Sequence, residues 1–82
     1  MYRIVKVAVL SGYRLDVEFE DGVKGVVSLE NDLFGPVFEP LKDQQFFAKV
    51  AVDEFGAICW PNGADLAPDA IYDELKSGKS VA

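Results

Sequence analysis

Eight consecutive residues, Tyr13-Arg14-Leu15-Asp16-Val17-Glu18-Phe19-Glu20, alternate apolar and polar without a break. Successive side chains of a strand point to opposite faces, so this segment is expected to be extended, with Tyr13, Leu15, Val17 and Phe19 on the core and the charges in water. Ser11-Gly12 and Asp21-Gly22 flank it, and beyond them lie two β-branched runs, residues 2–10 and 23–29. Strand and glycine turn in this order predict a three-strand antiparallel meander.

Loop length decides which residues face each other. A two-residue loop at Asp21-Gly22 sets Phe19 against Lys24 and Asp16 against Val27. A three-residue loop, Glu20-Asp21-Gly22, instead sets Phe19 against Val23, Leu15 against Val27 and Lys24 against Glu18. The longer loop is expected, with Gly22 in the left-handed region. The same reasoning at Leu10-Ser11-Gly12 sets Val9, Val7 and Val5 against Tyr13, Leu15 and Val17, and Lys6 against Asp16. Ile4, Ala8 and Leu10 then lie on the outer face with Val26 nearby. They form a candidate interface for a second copy or another protein, above all if the first strand is a sheet edge. The alternative is that the final helix or a lid covers them.

After Leu29 the chain holds Gly35, Pro36 and Pro40, which preclude a long helix; Phe34, Val37, Phe38 and Leu41 are expected to fold over the core as a lid across residues 34–41. Asp43 is placed to cap a short helix reaching about Ala48 and burying Phe46 or Phe47. Residues 50–53 and 57–60 read as a second hairpin around Glu54-Phe55-Gly56. Residues 66–76 read as the last helix, with Asp65 as cap, Pro68 in the first turn, an apolar stripe of Ala67, Ile71 and Leu75, and Gly78 past its end. Residues 77–82 are expected to fray. The fold class predicted is α+β, a small antiparallel sheet with a short middle helix and a C-terminal helix, in one domain over residues 1–82. Its structural joint is Trp60-Pro61-Asn62-Gly63 with Asp65, where Pro61 ends a strand and Asn62-Gly63 give the backbone freedom to turn.

Composition narrows the function classes. The 82 residues carry a net charge of −6, and 50% are apolar, enough for a packed core. Residues 1–28 are neutral, with Arg3, Lys6, Arg14 and Lys24 against Asp16, Glu18, Glu20 and Asp21; the remainder holds ten acids against four lysines. No window clusters Lys and Arg as phosphate binding requires, so direct nucleic-acid binding is not expected and a basic protein partner, or a second copy, is favoured. A lone cysteine, the lack of a span-length apolar run and an N-terminus without signal-peptide layout lead us to expect a soluble, unprocessed cytoplasmic protein with no membrane partner.

The chain has no histidine, which removes Ser-His, Cys-His and most hydrolytic metal arrangements. Cys59, between Ile58 and Trp60 on an expected strand, reads as structural. Asp65, Asp69 and Asp73 recur every four residues as ligands of a hard cation would, but helix-dipole and solvation roles explain them better. No glycine cluster has phosphate-loop spacing. No catalytic, cofactor-binding or metal-binding residues are therefore expected, and the chain is read as a non-enzymatic interaction or regulatory module. The alternative is a small-ligand sensor with an aromatic pocket, lined by Phe34, Phe38 and Trp60, under the lid.

Three segments in order, the meander with Phe19-Glu20-Asp21-Gly22, the lid Gly35-Pro36-Val37-Phe38-Glu39-Pro40-Leu41, and Trp60-Pro61-Asn62-Gly63-Ala64-Asp65-Leu66-Ala67-Pro68-Asp69, make the chain resemble the bacterial family called domain of unknown function 2442. The resemblance implies a small α+β domain without an assigned reaction. It also implies relatives fused to a helix-turn-helix domain, and others paired with a second short protein as toxin and antitoxin are, so that an antitoxin-like role is one expectation here. No helix-turn-helix segment is read in these 82 residues, so a DNA-binding role is not expected to carry over.

Overall fold

A computed structural model describes residues 2–77. The first sheet is the expected meander, β1 (Ile4–Leu10), β2 (Arg14–Phe19) and β3 (Lys24–Ser28), in the order β1-β2-β3. A 3-10 turn (Glu39–Lys42) and a one-turn helix α1 (Gln44–Phe47) follow. The second sheet is formed by β4 (Ala51–Val52), β5 (Ile58–Cys59) and β6 (Asp65–Leu66), and helix α2 (Pro68–Ser77) closes the chain. The architecture is α+β, as the sequence predicts. Its second sheet is one strand larger than the expected hairpin, because Asp65 and Leu66 pair with Cys59 and Ile58 instead of opening the helix. Gly78 and most of the tail expected to fray lie outside the described residues.

One loop design recurs three times. Phe19, Asp53 and Trp60 each donate their N–H to the carbonyl four residues on and accept from the N–H three residues on, at 2.7–3.1 Å, and the residue in that third place is Gly22, Gly56 or Gly63. This is the three-residue hairpin whose last loop position has positive φ; at Gly63 φ is +92°. Side chains brace the loops, since the carboxylate of Asp21 accepts from Val23 N–H and the amide oxygen of Asn62 from Ala64 N–H. The β2–β3 register follows, with Leu15 against Val27 and Glu18 against Lys24 as expected.

The β1–β2 register departs from expectation by two residues. Tyr13 has φ +59° and joins Ser11 and Gly12 in the loop, so Leu10 faces Arg14, Val9 faces Leu15 and Lys6 faces Glu18, not Asp16. A slip of two preserves both faces. What holds Tyr13 out of the ladder is its ring, edge-on to Phe47 at 5.4 Å, and its hydroxyl, which donates to the Lys42 carbonyl. A bulge between Ile4 and Lys6 then turns Ile4 inward: it is 1% exposed and belongs to the core, not to the outer face predicted for it.

The core lies between the sheets. Leu15, Val17, Phe19 and Val27 of the meander pack with Leu41, Phe47, Ile58, Trp60 and Ala64, and Ile71 brings α2 onto them. Asp43 caps α1 by accepting from Gln45 N–H, and Phe47 is the aromatic it buries. The lid closes in part: Leu33 and Leu41 are buried and Phe38 is half-buried, whereas Phe34 and Val37 stay exposed.

Candidate functional site

Three places gather the residues that sequence reasoning singles out. The first is the Trp60 loop. Trp60 is 4% exposed, and its indole Nε1 donates to the Phe47 carbonyl at 2.9 Å. Asn62 uses both ends of its amide, accepting from Ala64 N–H and donating to the Val37 carbonyl at 2.8 Å, so the loop is tied to the lid. Pro61 and Asn62 supply the turn and Gly63 its end. The arrangement is a brace between β5, β6 and the lid. Of the residues expected to line an aromatic pocket, Trp60 is core, Phe38 is half-buried and Phe34 is 69% exposed. Asp65 is a strand residue facing Cys59, so it does not cap α2 or share a helical face with Asp69 and Asp73. Among the described residues no three His, Cys, Asp or Glu side chains gather as metal ligands do.

The second place escapes sequence reasoning altogether. Tyr72 on α2 stacks on Tyr2 at 3.9 Å and stands edge-on to Phe19 at 4.9 Å, and its hydroxyl donates to Asp21 at 2.7 Å. This hydrogen bond holds the Asp21 carboxyl below the usual carboxylate range and pushes Tyr72 up to about 12, with desolvation adding to the tyrosine's shift. A tyrosine shifted in that direction stays protonated as a donor. It is a clasp between α2 and the β2–β3 loop, not a poised base. The two residues are 51 positions apart, and no local pattern links them.

The third place is the free side of β1. Phe19 N–H donates to the Val23 carbonyl and Leu29 N–H to the Tyr13 carbonyl, so the odd-numbered residues of β2 aim their backbone groups at β3. Glu20 N–H donates to the Arg3 carbonyl, so the even-numbered ones aim at β1. Lys6, Ala8 and Leu10, which face Glu18, Asp16 and Arg14, therefore bond to β2, and the N–H and C=O groups of Val7 and Val9 point away from it. Among the described residues β2 is the single strand hydrogen-bonded to β1. The outward backbone bond that β1 makes is at its start, from Ile4 N–H to the Gly56 carbonyl at 3.0 Å.

Apolar groups accompany these bare backbone groups. Val5 and Val9 are 46% and 39% exposed, Ala8 is exposed, and Leu10 and Val26 are half-buried. A cleft of about 470 Å³ lies along the strand, lined by Val5, Lys6, Val7 and Ala8, by Asp16, Glu18 and Lys24 of the neighbouring strands, and by Val52 of β4, which packs beside β1. Of the predicted interface residues, Ala8, Leu10 and Val26 are thus on or beside an open surface, and Ile4 is not.

The family described as protein of unknown function DUF2442 matches residues 4–77. The chain belongs to the DUF2442 family. No curated protein and no solved structure matches it. The matched span of this DUF2442 domain starts on β1 and ends on α2, so the Trp60 loop, the Tyr72 clasp from Phe19 onward and the open edge all fall within it. Among the described residues no helix is long and apolar enough to cross a membrane.

Proposed function

We propose that this DUF2442 domain is a non-enzymatic protein-interaction module that takes up a partner by strand addition at β1. The observation that carries the reading is the outward direction of the Val7 and Val9 backbone groups on a strand that, among the described residues, has β2 as its one hydrogen-bonded strand, beside exposed Val5 and Val9. Unpaired edge groups next to apolar side chains are what strand addition uses: main-chain bonds supply affinity and alternate side chains supply selection. The ten acids after residue 28 favour a basic partner for the rest of the surface, as suits the neutralising half of a two-protein bacterial pair acting in the cytoplasm.

Proline supplies the test. At Val9 it deletes an N–H that points outward, so the β1–β2 ladder survives; at Ala8 it deletes one that bonds β2. Val9→Pro is expected to stay folded and to lose protein partners that the wild-type chain retains in a pull-down, whereas Ala8→Pro is expected to unfold. A folded Val9→Pro chain that holds every wild-type partner with unchanged affinity refutes the reading.

A further inference from the structure

We propose that Asn62 is a deamidation site gated by the lid, so that the tie between the Trp60 loop and residues 34–41 is severed once, chemically, and does not re-form. The inference is independent of strand addition at β1. Of the two asparagines in the chain, Asn31 precedes Asp32 and Asn62 precedes Gly63. Deamidation needs the backbone nitrogen after the asparagine to reach its side-chain carbon, and a glycine puts no side chain in the way. The surroundings are open too. A Cβ at Gly63 would meet nothing within 4 Å, and Asn62 and Gly63 are both exposed.

The chemistry balances with water alone. Gly63 N gives up its proton to hydroxide and bonds to Asn62 Cγ, the Cγ–Nδ2 bond breaks, and Nδ2 takes up a proton and leaves as ammonia. Water then opens the five-membered imide. Cleavage between Cγ and Gly63 N leaves aspartate at position 62; cleavage between the main-chain carbonyl carbon of that position and Gly63 N leaves isoaspartate, with the chain rerouted through the side chain. Asp21 shows why the neutral amide matters. It stands in the same loop place before Gly22 and is braced in the same way by Val23 N–H, yet its hydrogen bond from Tyr72 holds the carboxyl below the usual range, and an ionised carboxylate repels the nucleophile that an amide accepts.

The folded loop holds all three reacting groups. Asn62 Nδ2, the leaving group, donates to the Val37 carbonyl at 2.8 Å, Oδ1 accepts from Ala64 N–H at 3.1 Å, and the attacking nitrogen of Gly63 donates its N–H to the Trp60 carbonyl at 3.1 Å. Two of these bonds are internal to the loop. The third spans 25 positions to the middle of the lid. Leu33 and Leu41 pin the lid at its ends, but Phe34 and Val37 are exposed, and its backbone bonds, such as Glu39 N–H to the Gly35 carbonyl and Leu41 N–H to the Phe38 carbonyl, are local. When the lid lifts, the amide is free to turn and attack proceeds from that opened state. Either product unties the lid. Aspartate still accepts from Ala64 N–H but has no N–H for the Val37 carbonyl and sets two acceptors against each other. Isoaspartate also adds a backbone atom to a loop whose bonds from Trp60 N–H to the Ala64 carbonyl and from Gly63 N–H to the Trp60 carbonyl fit three residues.

Peptide mapping by mass spectrometry, on protein kept in mildly alkaline buffer, tests the gate. The folded wild-type chain is expected to convert at Asn62, but roughly tenfold or more slowly than the same chain unfolded in urea, because attack draws on the opened fraction alone. Val37→Gly keeps the carbonyl and loosens an exposed stretch of lid, and Phe38→Ala removes a half-buried lid contact; each is expected to convert severalfold faster than wild type while still folded. Folded Asn62→Asp stands in for the product and keeps the test available if neither lid variant folds. In it the Glu39 and Leu41 N–H groups are expected to exchange with solvent severalfold faster than in wild type, with exchange in the meander unchanged. Equal rates in folded and unfolded wild type, a folded chain in which Asn62 is never converted, conversion at Asn31 in its place, no acceleration in a folded lid variant, or lid exchange unmoved by Asn62→Asp each overturns the inference.

Discussion

Gly56 and Gly63 occupy the same position of the same loop, with φ +82° and +92°, yet their surroundings differ. A Cβ at Gly63 meets nothing within 4 Å, whereas one at Gly56 would stand 2.4 Å from Arg3 Cγ, 2.9 Å from Arg3 Cα and 3.0 Å from Arg3 Cβ. Alanine at either site accepts a left-handed backbone, at about 1–2 kcal/mol, part of which is offset by the narrower unfolded ensemble. At Gly63 that is the whole effect, so Gly63→Ala is expected to destabilise by about 1 kcal/mol. At Gly56 the Arg3 side chain is free to swing aside, but its Cα is not. It is held on one side by Glu20 N–H bonding the Arg3 carbonyl at 2.8 Å and on the other by Ile4 N–H bonding Gly56 itself at 3.0 Å. Relief requires giving up one of these bonds, about 0.5–1.5 kcal/mol, and loosening Ile4 in the core, about another 1 kcal/mol. Gly56→Ala is therefore expected to cost about 2–4 kcal/mol.

Urea denaturation followed by the fluorescence of Trp60, a buried single tryptophan, measures the difference directly. For a domain of this size each kcal/mol moves the melting temperature by about 4–8 °C, so the two variants should also separate clearly on heating. The slope with denaturant should be unchanged, because the loss is in the native state. Equal destabilisation by the two substitutions would show that Arg3 does not press on Gly56, and the account of how the second sheet meets β1 would fail with it.

Two further outcomes follow from the clasp and the core. Asp21, lowered, stabilises the fold above its unfolded pKa of 3.8 and loses that contribution as pH falls through its folded value; Tyr72, raised from 10 to about 12, stabilises below pH 10 and loses it as pH rises between those values. Tyr72→Phe should therefore flatten the stability profile at both ends and return the Asp21 carboxyl toward 3.8 in an NMR titration, and an Asp21 titration unmoved by the substitution would contradict the hydrogen bond. Trp60→Phe removes one of the two donors to the Phe47 carbonyl, which keeps the Val50 N–H, as well as ring volume, and is expected to cost about 1–3 kcal/mol by circular dichroism melting, chiefly from the volume lost; a loss below about 0.5 kcal/mol would mean that the core closes over the space.

How far the sequence reveals this fold depends on whether local signals agree. In the β2–β3 hairpin they do: the alternation of residues 13–20, the glycine at position 22 and the Glu18–Lys24 pairing all favour one loop length, and the structure has it. In the β1–β2 hairpin an aromatic residue that belongs in a strand by propensity sits instead at φ +59°, held by Phe47 and Lys42, 34 and 29 positions away. Long-range packing overrides propensity there. At Asp65 the cue was present but competed with another. An acid before an apolar run with proline reads as a helix cap, yet Trp60 and Gly63 repeat the spacing of Phe19 and Gly22, and a repeated hairpin loop requires a strand after it.

The candidate site is harder to see in a sequence because an edge is defined by a missing neighbour. The residues of β1 read equally well as a central strand, and no property of Val7 or Val9 alone says which way its N–H points. That direction is set by Phe19, the last residue of β2, and Glu20, just beyond it, bonding to opposite sides. Once it is fixed, the bulge near Ile4 gains a second meaning. It turns Ile4 into the core and frees Ile4 N–H to meet Gly56, which anchors the start of the strand to the second sheet. A strand held firmly at its start, with the outward N–H and C=O groups of Val7 and Val9 beyond it, is well prepared for strand addition, since the ordering that such addition normally has to supply is already provided by the fold.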